Sequence, residues 1–151
     1  MGKYSFTVCC DSSNNYYSQS DAGATTSYIF DWTLVPDVKY NLTFSYMSDD
    51  VTTTLSPVMC IGTDFTGVPN VFQANGSSAS RRVGFLGMLL ASKHGANGCY
   101  YADVSTNPPI QLQRPDNQQF TIYLTNALSR IPYATPAPGA YVLFLHFEEC
   151  D

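Results

Sequence analysis

The sequence predicts an all-β fold, a sandwich or barrel of about eight to ten short strands. Three observations lead there. Apolar residues recur at every second position in run after run, as they must in a strand with one buried and one wet face. Turn-forming clusters such as "DSSNN", "GTDFTGVPN", "NGSSAS", "STNPP" and "RPDN" punctuate those runs at short intervals. Only 13% of the 151 residues are charged, 14% are aromatic, and there are 10 glycines and 9 prolines, so Ser, Thr, Asn and Gln must build most of the surface. The length suits one domain, residues 1–151, with one core.

The strands follow in order. Tyr4, Phe6 and Val8 alternate at the start, and Tyr28, Phe30 and Trp32 alternate in "SYIFDWTL". The clearest strand is "VKYNLTFSYM", where Val38, Tyr40, Leu42, Phe44 and Tyr46 interleave with Lys39, Asn41, Thr43 and Ser45. Shorter runs follow at "PVMCIG", "NVFQA", "CYYADV" and "IQLQ". "VGFLGMLLASK" has leucines near helical spacing, but Gly84 and Gly87 each weaken a helix by up to about 1 kcal/mol, so it too reads as a strand. Phe120, Ile122 and Leu124 mark the next one, and "AYVLFLHFEE" is the last.

Two of these strands are apolar on both faces. In the last, Tyr141, Leu143, Leu145 and Phe147 alternate with Val142, Phe144 and His146; in the other, Val83, Phe85 and Leu89 sit opposite Leu86, Met88 and Leu90. A two-sheet sandwich covers only the inner face, so a loop, a terminal arm or another subunit is expected over the outer one.

Charge and motif content exclude several functions. With 12 acidic against 7 basic residues the net charge is −5, which repels nucleic acid and anionic membranes, and Arg81-Arg82 and Lys93-His94 read as solvated strand ends or loops. The longest apolar run, near "VGFLGMLLA", falls far short of the roughly 20 residues of a membrane span, and "KYSFTVCC" near the start predicts no secretory leader. Outside a secretory lumen, the sequons at Asn41 and Asn75 read as chance, the second as a turn.

Cys9, Cys10, Cys60, Cys99 and Cys150 form no CxxC pair, and His94 and His146 show no zinc spacing; no metal and no cofactor are expected. The odd cysteine count suits buried free thiols in a reducing compartment, with a Cys60–Cys99 bridge as the alternative. Side chains of neighbours in a strand point to opposite faces, so at most one of Cys9 and Cys10 joins the core, and Asp49-Asp50 and Glu148-Glu149 read as solvated strand ends. His146 reads as a core or interface histidine, His94 as part of a turn, and the loops "DSSNN" and "MSDDV" as turns rather than calcium sites. No phosphate-cradling or nucleophile motif occurs, and no enzymatic role is expected.

The arrangement "NPPIQLQRPDNQQFTIYLTN", a Pro-containing loop and then "YVLFLHFEE" resembles the C-terminal half of small single-jelly-roll capsid proteins of nucleocytoplasmic large DNA viruses, the penton and minor capsid proteins. Pro109, Ile110, Leu112, Arg114, Pro115, Asn117, Phe120, Ile122, Leu124, Tyr141, Leu143, Leu145, Phe147 and Glu148 carry the likeness, over about a third of the chain. "SYIFDWTLVPDVKYNLTFSYMS" looks like an early strand pair of such proteins.

The resemblance implies a single jelly roll, eight main antiparallel strands in two packed sheets. It implies a structural role in an icosahedral virion: the penton at the five-fold vertex, a homopentamer joined side to side and assembled in the host cytoplasm, with the other capsid proteins as partners. Alternatives are a minor capsid protein that cements capsomers, or a module binding a host-surface glycan, for which Tyr16-Tyr17 and Tyr100-Tyr101 are the dipeptides able to supply an aromatic platform. A metal-dependent enzyme of cupin type needs more histidines than two. Leu86, Met88, Val142, Phe144 and His146 are the expected interface residues, masked yet outside the core.

Overall fold

The computed structural model describes residues 3–18, 25–49, 59–74, 79–94, 97–126 and 140–151. Eleven strands lie among them: β1 (Ser5–Asp11), β2 (Tyr17–Ser18), β3 (Thr25–Ile29), β4 (Lys39–Ser48), β5 (Met59–Thr63), β6 (Asn70–Ala74), β7 (Ala79–His94), β8 (Asn97–Ala102), β9 (Ile110–Gln113), β10 (Gln119–Asn126) and β11 (Tyr141–Glu149). No α-helix occurs among the described residues.

All strand pairs are antiparallel. One sheet runs β1-β11-β4-β8, with β9 beside the other end of β4. The second runs β3-β10-β5-β7, extended by β2 at one edge and β6 at the other. Long β7 belongs to both, pairing with β5 up to Leu89 and with β8 from Leu90. First strand beside last, and crossovers that alternate between sheets, make this a jelly roll.

The core follows from the alternation. On β4, Tyr40, Leu42, Phe44 and Tyr46 point inward; on β11, Tyr141, Leu143, Leu145 and Phe147 do. Aromatic rings fill one end of the sandwich: Phe6 stacks on Phe147 at 4.7 Å, and Trp32 meets Phe147 edge-on at 5.5 Å and Phe65 at 5.7 Å. Such pairs add about 0.5–1.5 kcal/mol each beyond the area they bury.

The run Tyr28, Phe30, Trp32 is not one strand. β3 stops at Ile29, and the Asp31 carboxylate caps a 3-10 turn over Trp32–Leu34 by accepting from the Thr33 N–H at 3.1 Å. This turn carries the chain from one sheet to the other, and the Arg-Pro turn after β9 carries it back. The two grip each other: Arg114 Nη1 donates to the carbonyls of Trp32 (3.1 Å) and Val35 (2.9 Å), while Trp32 Nε1 donates to that of Asn117 (3.0 Å).

β7 departs from simple alternation. Ile61 pairs with Gly87 but Gly62 pairs with Phe85, so Leu86 is the extra residue of a β-bulge. The bulge reverses the phase: Leu86 and Leu89 are buried, Met88 and Leu90 exposed. Leu86 therefore belongs to the core, which corrects its expected place on the outer face.

Neither glycine of β7 is free to vary. A Cβ on Gly84 would lie 2.7 Å from the Thr63 carbonyl oxygen, and one on Gly87 2.5 Å from Asn107 Cγ. The Asn107 amide stands in for a strand neighbour: Met88 N–H donates to its Oδ1 and its Nδ2 donates to the Met88 carbonyl, both at 3.0 Å.

Arg114→Met, which removes the Nη1 donor shared by two carbonyls, is expected to cost about 1–3 kcal/mol in urea unfolding, while Asp37→Asn, removing an exposed partner 3.7 Å away, costs well under about 1 kcal/mol. Equal losses would assign the effect to the ion pair instead. Gly87→Ala is expected to lower the midpoint, and Asn107→Ala in the same background to recover part of that loss by removing the clash.

Candidate interaction face

The outer face of the β1-β11-β4-β8 sheet divides into two zones. At one end the register aligns four apolar residues across four strands: Val142 on β11 opposes Met47 on β4, Met47 opposes Tyr101 on β8, and Tyr101 opposes Leu90 on β7. Met47 is 60% exposed, Leu90 44% and Phe144 39%, and Met88 and Tyr101 are exposed as well. Since the inner positions of these strands fill the core, this row has no cover from its own sandwich among the described residues.

The other zone is polar and centres on His146. Thr7 Oγ1 on β1 shares a hydrogen bond with His146 Nδ1, and Ser45 Oγ on β4 shares one with Nε2, both at 3.1 Å. The ring stacks beside Phe144 at 6.3 Å, and partial burial lowers its pKa from the usual 6.5. A shallow groove of about 520 Å3 runs past it, lined in part by Thr7, Asn41, Thr43, Pro109 and Glu148.

Four of the five residues expected at an interface thus lie on outer faces: Met88 and Phe144 exposed, Val142 and His146 half-buried. Met47, Leu90 and Tyr101 complete the row but were not singled out as interface residues. For Met47 the signal was present, because it interrupts the otherwise polar series Lys39, Asn41, Thr43, Ser45. The Tyr100-Tyr101 pair makes no two-ring platform, since Tyr100 is buried and only Tyr101 faces out. Tyr16 is exposed, and the side chain of Tyr17 lies outside the described residues.

Cys9 and Cys10 divide as strand geometry requires. Cys9 is an exposed free thiol; Cys10 is fully buried, with its thiol pKa pushed up to about 12 mainly by that burial. Half-buried Cys150 accepts a hydrogen bond from Gln111 Nε2 at 3.3 Å. The side chains of Cys60 and His94 lie outside the described residues, and so does the Cys60–Cys99 pairing. Among the described residues no three His, Cys, Asp or Glu side chains converge on one point.

No protein-family model matches this sequence, and no curated protein matches it either.

A lowered histidine pKa has a signed consequence. Between the unfolded value of 6.5 and the lower folded one, the unfolded chain binds more protons at His146, so this contribution is present above pH 6.5 and is lost as pH falls through the folded value. Urea midpoints of the wild type are expected to drop more between about pH 7.5 and pH 5 than those of His146→Gln. Parallel pH profiles would show that the histidine does not contribute.

Proposed function

We propose that this chain is a structural capsid protein of an icosahedral large DNA virus, the penton at the five-fold vertex, located in the shell and assembled in the host cytoplasm. The observation that carries the proposal is the cross-strand row Val142, Met47, Tyr101 and Leu90, flanked by Phe144. An apolar strip on a rigid sheet suits burial against a neighbour, and the jelly roll is the fold that the sequence resemblance calls for. In a five-fold ring the contact is heterologous, the row of one subunit meeting a different surface of the next. Fixed sheet geometry then sets the rotation that closes the ring.

A second reading keeps one observation of its own. The polar groove with Asn41, His146 and Glu148 beside exposed Phe144 suits a host-surface glycan, which an aromatic face and planar polar groups recognise. Cementing of capsomers uses the same apolar row and differs only in its partner.

Native mass spectrometry and light scattering over a range of concentrations, in reducing and oxidising buffer, test the assembly reading. A pentamer, or a reversible shift from monomer to pentamer, is expected. Met47→Lys and Phe144→Lys should each raise the concentration needed for assembly at least about tenfold, about 1.4 kcal/mol, with the fold intact. A strict monomer at high concentration would overturn the penton reading in favour of a lattice-dependent cement or a binding module.

A further inference from the structure

The ladder phase of β1 leaves an edge that no described residue pairs with. Ser12 N–H donates to the Tyr141 carbonyl and Glu149 N–H to that of Tyr4, so the even residues of this segment face β11 with their backbone groups. The odd residues Ser5, Thr7 and Cys9 therefore turn their N–H and C=O groups away from the sheet. None of these groups has a hydrogen-bond partner on that side among the described residues.

Edge strands are usually defended by a lysine, a proline, a bulge or shortness. The strand SFTVCCD has seven residues, no lysine, no proline and an unbroken register, with its one charge at the end, on Asp11.

A groove of about 480 Å3 runs along this open edge of β1. Buried Val8, Cys10, Tyr28 and Phe120 close its floor, half-buried Phe30 and the exposed Tyr16 (62%) and Ile29 (52%) form its apolar rim, and Thr7, Asn14 and Asn15 add polar groups. Among the described residues no charged side chain lines it. Unpaired backbone groups beside an uncharged cleft of this kind match what an added strand requires: main-chain bonds for affinity and a pocket for alternate side chains.

We infer that the free edge of β1 is a binding site for an extended, uncharged segment of a partner protein, which pairs with Thr7 and Cys9 and places alternate apolar side chains in the groove. The β1 strand of a second copy does not meet that description. Its inward side chains Val8 and Cys10 are buried in their own core and cannot fill a neighbour's groove. The inference does not depend on the capsid reading.

Residue-resolved amide exchange on the full chain tests it, with a capped peptide of alternating threonine and valine, lysine at each end, as the probe. In the protein alone the Thr7 and Cys9 amides should exchange fast while those of Val8 and Cys10 are protected. Peptide at millimolar concentration should slow Thr7 and Cys9 at least about tenfold, and a twin peptide methylated on the backbone nitrogens facing β1 should do nothing. Cys9→Pro, which deletes only an outward N–H, should abolish protection at Thr7 without loss of fold.

Three results would overturn the inference. Protection of Thr7 and Cys9 equal to that of Val8 in the dilute protein alone would mean that the edge is already covered. Protection that grows with protein concentration would make the occupant a second copy. Amides that stay fast at saturating peptide would remove the site, and this comparison holds even if the proline variant fails to fold.

Discussion

The two crossovers at one end of the sandwich are tied together by one guanidinium and one indole. Arg114 leaves the first sheet after β9 and reaches the carbonyls of Trp32 and Val35, on the segment that enters that sheet from β3. Within the turn the Trp32 carbonyl already accepts from the Val35 N–H at 3.2 Å, whereas Arg114 is the donor to the Val35 carbonyl, and a buried carbonyl without a donor costs about 1–3 kcal/mol. Trp32 returns the bond to Asn117 and seats its indole among Phe30, Phe65, Phe120 and Phe147. Sheet stacking and crossover geometry therefore depend on the same few atoms. The Arg-Pro turn that marks the sequence resemblance is thus a packing device as well as a change of direction.

Given that frame, most of the architecture was legible because a half-buried strand carries its own record in period two. β4 and β11 show it plainly: the inner residues named from alternation are the buried ones. What could not be read is anything fixed by a neighbour. The bulge at Leu86 exists because β5 pairs on either side of it, and nothing in "VGFLGMLL" marks which residue is skipped. The end of β3 at Ile29 was hidden for a similar reason. Phe30 and Trp32 continue the alternation, while the Asp31 cap and the Arg114 grip turn the chain out of the strand.

The same limit governs the candidate site. Sequence located apolar residues on both faces of the last strand, but the row Val142, Met47, Tyr101, Leu90 is assembled by the register of four strands, of which only β7 and β8 are neighbours in the chain. Of its members only Val142 was named beforehand as an interface residue, and Met47 carried an unread signal as an apolar residue among polar ones. His146 was read as a core or interface residue and lies between those extremes, half-buried on the outer face and bonded to Thr7 and Ser45 on the flanking strands. Its two bonds tie β1 and β4 to β11 across the surface, a link that neither strand's pattern contains.

The apolar row and the free edge meet at one point. Cys9 on the edge strand is the register partner of Phe144, and Phe144 and Val142 follow each other along the outer face of β11. A strand added to β1 would place its own outward side chain beside Cys9, one strand away from Phe144, and would widen the face that carries the row. Occupation of the edge and contact across the face are then coupled through side chains rather than through any rearrangement of the core. If both surfaces are used, the edge-bound segment is a component of the face contact, and its chemistry helps to choose the neighbour that the face accepts.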